Sequence, residues 1–229
     1  MIFLTGDTHG NMDISKLGNR RFFEGKELDK NSIVIILGDF GNVWFQNNED
    51  KYWLNWLNDK PYTVCFIDGN HENHDLLNSY EVKEWMGGKV HIICDSVIHL
   101  MRGQVFELEG LRFFTMGGGF STDQAYRKEG VSWWKNELPN LEEYNEAKRN
   151  LERYDWKVDY VLSHTTSMMV MQNQLNYVKE DTELNRFFDL LEKQLEFRHW
   201  YFGHFHQDTK LDEKHTVVYN KILKVNKGE

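Results

Sequence analysis

Residues 62–72 read Tyr62-Thr63-Val64-Cys65-Phe66-Ile67-Asp68-Gly69-Asn70-His71-Glu72. The apolar run from Tyr62 to Ile67 predicts a buried strand, and the glycine and polar residues after it predict a turn at its carboxyl end. The pattern recurs upstream. Ile2 to Thr5 runs into Gly6-Asp7-Thr8-His9-Gly10, and Ile33 to Leu37 runs into Gly38-Asp39-Phe40-Gly41. Short continuous apolar runs opening into Gly and polar side chains mark parallel strands buried on both faces, with loops at their carboxyl ends. The chain is therefore expected to be α/β.

The segments between and beyond these strands fit that expectation. Glu49 to Asn58 places Tyr52, Trp53, Trp56 and Leu57 at helical spacing, with Pro61 as a stop. His74 to Tyr80 predicts a short helix capped by Asn73. Between Val90 and Met116, four short apolar runs split by Asp-Ser, Arg-Gly and Glu-Gly predict antiparallel hairpins. Helices are predicted over Asn140 to Tyr154 and Thr182 to Leu195, the second capped by Asp181 or Thr182. Strands are predicted at Asp159 to Leu162, His199 to Phe202, Thr216 to Tyr219 and Ile222 to Val225. No linker or repeat interrupts residues 1–229, so a single domain is expected.

Bulk composition narrows the function. The chain has 229 residues, 40% hydrophobic and 14% aromatic, enough for one substantial core. Its formal charge of −9 argues against sequence-independent clamping of nucleic acid, which needs Lys and Arg to neutralise phosphates. Bound metal ions could still make a local cationic site. Cys65 and Cys94 each lie inside an apolar run and read as buried reduced thiols. With no basic leader and no apolar stretch of about 18 residues, the expectation is a soluble, cytoplasmic protein with no membrane partner.

Five strand ends carry the chemistry: Asp7 and His9, Asp39, Asn70 and His71, His164, and His204 and His206. In open α/β sheets ligands bind beyond the carboxyl ends of the strands, so these dispersed residues have a route to meet. Imidazoles with carboxylates suit borderline and hard divalent ions, and no cluster contains a cysteine. Asp7 and His9 are i and i+2, so both point to one side of an extended segment, as do His204 and His206. Two such pincers could hold one ion. Asn70, His164 and one histidine of the last pair could hold a second, with Asp39 bridging.

Asp7-Thr8-His9, Gly38-Asp39, Gly69-Asn70-His71-Glu72, the lone His164 and Gly203-His204-Phe205-His206 together resemble the five ordered motifs of the calcineurin-like metallophosphoesterases. The resemblance spans Asp7 to His206. It implies a four-layer α/β/β/α sandwich of two mixed sheets, with a dinuclear metal site at the strand carboxyl ends. It implies two divalent metal ions, Mn first, with Fe, Zn or a mixture as alternatives. Asp7, His9 and His206 would bind one ion, Asn70, His164 and His204 the other, and Asp39 both. His71 would stand beside the metals as a catalytic group facing the leaving oxygen, with Glu72 orienting its ring. A carboxylate partner would favour the imidazolium form. Two ions about 3.5–4 Å apart can activate a bridging water for in-line attack and clamp the phosphoryl oxygens.

The chain departs from the family pattern after the second motif. Family members acting on proteins carry an Arg shortly beyond it, where this chain reads Phe40-Gly41-Asn42-Val43-Trp44. A phosphodiesterase or nucleotide-cleaving hydrolase is therefore expected, with Asn42 taking part of that polar role. A phosphomonoesterase, a protein phosphatase and a non-catalytic metal-binding scaffold are the alternatives. His74 is close enough in sequence to the third cluster to contact substrate. Residues 117–138 have two readings. Trp133-Trp134 could pack into the core, the favoured reading, or the triple glycine could hinge a lid carrying Tyr126, Arg127, Lys128 and Trp133 to the substrate. Aromatic and cationic residues there would suit a nucleotide or a short single strand of nucleic acid.

Overall fold

The computed structural model describes residues 1–177 and 181–226. Among these lie thirteen strands: β1 Ile2–Thr5, β2 Ile33–Leu37, β3 Thr63–Ile67, β4 Val82–Trp85, β5 Gly88–Cys94, β6 Val97–Leu100, β7 Gln104–Leu108, β8 Leu111–Met116, β9 Tyr160–Ser163, β10 His199–Phe202, β11 Thr209–Lys210, β12 His215–Val217 and β13 Leu223–Lys224. They form two mixed sheets. One runs β13-β1-β2-β3-β6-β5-β4, the other β11-β12-β10-β9-β8-β7. The centre of each is parallel: β1, β2, β3 and β6 in the first, β8, β9, β10 and β12 in the second. The expected hairpins are the antiparallel pairs β5–β6 and β7–β8.

Why the strands are apolar throughout follows from the layering. Alternate residues face opposite ways. Ile2, Leu4, Ile33, Ile35, Leu37, Cys65 and Ile67 of one sheet pack against Phe106, Leu108, Phe113, Tyr160 and Leu162 of the other. Their neighbours Phe3, Val34, Ile36, Val64 and Phe66 face outward against Leu57 and Trp53 of helix α1, Asn48–Asn58. Val161, Trp200 and Phe202 face outward against Tyr144 and Leu151 of α3, Leu141–Arg153, and Leu184 and Phe188 of α5, Glu183–Gln194. The result is helix, sheet, sheet, helix. Two further helices are short, α2 at His74–Leu77 and α4 at Met168–Gln174.

The helix boundaries have local causes. Asn47 caps α1 by accepting from Glu49 and Asp50 N–H, and Asn140 with Glu143 closes a capping box on α3. Thr182, not Asp181, caps α5. The helix expected over 74–80 is a single turn to Leu77, and β4 had no apolar signature because it is an exposed edge strand. Residues 117–138 contain two 3-10 turns, at Gln124–Tyr126 and Lys135–Glu137, and an isolated bridge between Glu129 and Trp133. Trp134 is buried, and its indole N–H donates to Asp75 at 2.9 Å. No helix among the described residues is long and apolar enough to cross a membrane.

Candidate metal centre

The strand registers bring the five clusters together. β1, β2 and β3 run side by side, so Asp7, Asp39 and Asn70 leave one sheet at one edge. Phe202 pairs with Ser163, so His164 and His204 leave the other sheet beside each other, their rings 4.9 Å apart. Bonds then cross between sheets: His164 Nδ1 donates to the Leu37 carbonyl at 2.8 Å, and the His204 N–H donates to Asp7 Oδ1 at 3.1 Å.

Asp7, Asp39, Asn70 and His164 are all buried, while His206 is exposed. Because a carbonyl only accepts, His164 Nδ1 carries the hydrogen, which turns Nε2 inward. There Nε2 stands 3.2 Å from Asp39 Oδ1 and 3.1 Å from Asn70 Oδ1. His9 Nε2 is 3.3 Å from Asp39 Oδ2, and His206 Nε2 is 3.1 Å from Asp7 Oδ2. Two donors bound to one ion at about 2.1 Å stand roughly 3.0–3.5 Å apart, so these spacings are those of a ligand cage. Asp7, His9 and His206 form one cation-sized group, and Asp7, Asp39 and His164 another. Asp7 Oδ2 is also buried with no hydrogen bond of acceptable geometry, as expected of an oxygen that waits for a cation.

The charge balance of the cluster suits a cation. Burial would lower the His164 pKa, but Asp39 and Asp7 raise it to about 10. Burial likewise opposes and Asp39 overrides at His9, raised to about 8. Without metal, protons on these rings stand in for the positive charge the carboxylates require. Backbone strain collects here too. His9, Asp39, His204 and His206 all have φ between 44° and 68°, a left-handed conformation costing about 1–2 kcal/mol each in a non-glycine residue. Gly38 and Gly69 make the close approach feasible. A Cβ on Gly38 would lie 2.2 Å from His164 Nδ1, and one on Gly69 would lie 2.2 Å from Asp39 Oδ1.

A family model described as calcineurin-like phosphoesterase matches residues 1–208. The chain belongs to that family. No curated protein matches this phosphoesterase. Among solved structures, a Staphylococcus aureus protein provisionally assigned as a 5'-nucleotidase, in complex with alpha-ketoglutarate, is 13% identical with a TM-score of 0.48. The match covers 95% of this chain and 48% of that one, so the phosphoesterase spans about half the length of that neighbour.

Around the cage, several residues have partners other than those expected. Glu72 is not hydrogen-bonded through its carboxyl to the His71 ring. Its buried carboxylate accepts the Phe40 N–H at 2.6 Å and the Gly41 N–H at 3.2 Å, so it fixes the backbone that carries Asp39. His71 instead meets Arg127, whose Nη1 donates to His71 Nδ1 at 2.8 Å. Burial lowers the His71 pKa most; Asp39 opposes it, but Arg127 and the neighbouring histidines add to the lowering, so the net direction is down. His74 is buried and turned to Asp68 at 4.0 Å, with no face to the cleft. Asn42 is buried in the cleft wall, and one of its amide hydrogens goes to the Phe40 carbonyl. From residues 117–138, Arg127 reaches the site, whereas Trp133 is half-buried and Tyr126 is 93% exposed.

Four supporting residues had no sequence signal strong enough to single them out. Asp13 Oδ2 lies 3.0 Å from His9 Nδ1 and accepts the Tyr219 hydroxyl, orienting His9 from behind. Tyr219 stacks on His206 with ring centroids 4.6 Å apart. Lys16, buried, donates to the carbonyls of Gly6, Asp7 and Tyr219 at 2.6–2.8 Å and so clamps the Asp7 loop. Ser121 accepts from the Asn70 amide N–H at 3.1 Å, leaving the Asn70 oxygen turned to His164.

Two open lobes flank the cage. One, of about 290 Å³, includes His9, Gly41, Asn42, Trp44, Phe45 and His71. The other, of about 370 Å³, includes Asp39, Asn70, His71, Phe120, Tyr177 and His204. His71 is common to both.

Proposed function

We propose that the protein hydrolyses phosphodiesters with two divalent ions, manganese first among them. Asp7, His9 and His206 would hold one ion, Asn70, His164 and His204 the other, with Asp39 shared. The ions supply an activated water and a charge clamp on the phosphoryl oxygens. The observation that favours a diester over a monoester is the pair of lobes meeting at His71. A diester carries an organic group on each side of phosphorus, and a monoester would leave one lobe empty.

The chain's own residues supply the rest. Arg127 takes the place of the cation missing after Asp39: a substrate phosphoryl anion would draw its guanidinium off His71 Nδ1. A guanidinium on an anionic oxygen makes a charge-assisted hydrogen bond stronger than one to a neutral ring nitrogen. His71, released, would be free to give a ring N–H proton to the departing ester oxygen. Residues 117–138 then act as a cover whose Trp134 is its fixed anchor and whose Arg127 is its working tip.

The reading is tested with bis-p-nitrophenyl phosphate and p-nitrophenyl phosphate in Mn²⁺. The diester should be cleaved with the higher kcat/KM, and a chelator should abolish turnover. Preference for the monoester would overturn the diester assignment. Stoichiometric metal with no hydrolysis of either would overturn the enzymatic one.

A further inference from the structure

The smaller lobe is a built site. Trp44, Phe45 and Trp53 line it together with Met12, and Phe45 and Met12 are 67% and 69% exposed. Large apolar side chains left open beside a reactive centre mark a surface that waits for a ligand. These are also not on a loose loop. Asp50, buried, accepts the N–H groups of Trp44, Phe45 and Gln46 at 3.1, 2.6 and 2.7 Å. Asn73 donates from its amide to the Trp44 carbonyl at 2.7 Å while its oxygen caps α2. Trp44 is braced further by an edge contact with Trp134, centroids 5.4 Å apart. One buried carboxylate and one cap residue are thus committed to holding the backbone that carries an exposed Phe. Fixing a contact surface in advance lowers the entropy cost of binding.

The rim is polar at one place. Asn11 donates to the Glu49 carboxylate, and both line the lobe. Glu49 is exposed and retains further acceptor capacity, whereas Asp50 is buried with one oxygen holding the loop. A planar occupant lying on Phe45 would meet an acceptor at its edge. A lobe of about 290 Å³ is at the small end of ligand pockets, which run roughly 300–1,000 Å³. Long acyl chains and folded macromolecules do not match that size. A single flat heteroaromatic group does.

We infer that this lobe binds the nucleobase of a nucleotidyl substrate, stacked on Phe45 with its amino edge on the Asn11–Glu49 pair. Carboxylates accept from exocyclic amino groups and amides pair with adenine edges, so amino-bearing bases are favoured over uracil and thymine. The inference rests on the phosphoesterase reading for where the phosphate sits, and deepens it by naming the group attached.

Binding to the metal-loaded protein, measured calorimetrically, separates the two ideas because it requires no turnover. The probes are ribose 5-phosphate, adenosine 5'-monophosphate, uridine 5'-monophosphate and n-hexyl phosphate, which share one phosphate and differ in what it carries. Adenosine monophosphate should bind about tenfold more tightly than ribose phosphate, the scale of one base–aromatic stack. Phe45→Ala, at an exposed position that leaves the core intact, should erase that margin. Glu49→Gln should narrow the gap between the adenine and uracil nucleotides. Equal binding of ribose phosphate and adenosine monophosphate overturns the inference, as does hexyl phosphate binding as tightly as the nucleotide. If the base margin is present but no diester is hydrolysed, the diesterase reading fails and the base site stands.

Discussion

Replacing Arg102 by Met should unfold the protein more readily than any surface change, with a pH signature of its own. Arg102 and Asp68 are 8% and 2% exposed, and the guanidinium Nε and Nη2 donate to one Asp68 oxygen at 2.8 and 2.5 Å. The same guanidinium donates to the Asn136 carbonyl at 2.8 Å, tying residues 117–138 to the strand end that carries Asn70. Methionine fills a similar volume but leaves the carboxylate buried without its cation, which costs about 3–5 kcal/mol. For a domain of this size that lowers Tm by roughly 6–20 °C. Burial would raise the Asp68 pKa, yet Arg102 and His99 hold it far below the usual carboxylate range. Its folded pKa is thus below its unfolded one, and the pair contributes in full above about pH 4, fading as pH falls further. In the variant burial prevails and the folded pKa rises above the unfolded one. The native state then takes up a proton between pH 7 and 5, so the deficit should shrink there. Urea unfolding at both pH values measures this. A loss under about 1 kcal/mol at pH 7, the scale of an exposed pair, would refute the reasoning, and so would a deficit that widens on acidification.

Three further outcomes are expected. Asp13→Ala should weaken metal binding about 10–100-fold, read by competition with a chelating dye, because His9 loses the partner that orients it. An unchanged affinity would remove Asp13 from the site. Lys16→Met should cost about 3 kcal/mol in urea unfolding, since three carbonyls lose their donor at roughly 1 kcal/mol each; a near-neutral result would mean water replaces the ammonium. Gly38→Ala forces a side chain at φ +91° into His164 and should cost at least the roughly 1–3 kcal/mol of such backbone strain. Metal loading should fall with it, and a variant that still binds metal as tightly would show that the His164 ring can move aside.

What the sequence made legible was the strand ends. A continuous apolar run followed by Gly and a polar residue identifies a parallel strand and its carboxyl end at once, which is why Asp7, Asp39, Asn70 and His164 could be singled out before any fold was known. Contacts between distant segments left no such trace. Tyr219 meets Lys16 and Asp13 across more than 200 residues. Arg102 reads as a polar turn residue until β6 and β3 pair and bring it under Asp68. Glu72 misled because it adjoins His71 in sequence. Consecutive side chains in an extended turn diverge, and its carboxylate went to the Phe40 loop instead. The aromatic lobe was hidden for the opposite reason: Trp44 and Phe45 look like core until Asp50 is seen holding them at the surface.

The ligand cage borrows from both sheets, and its members run from Asp7 to His206. A polypeptide interrupted anywhere before β10 lacks His204 and His206, and one in which the two sheets have slipped apart separates Asp7 from the His204 amide that it accepts. On the proposed ligand set, a chain that stops before β10 would hold an incomplete cage, and metal affinity would report whether both sheets are in place.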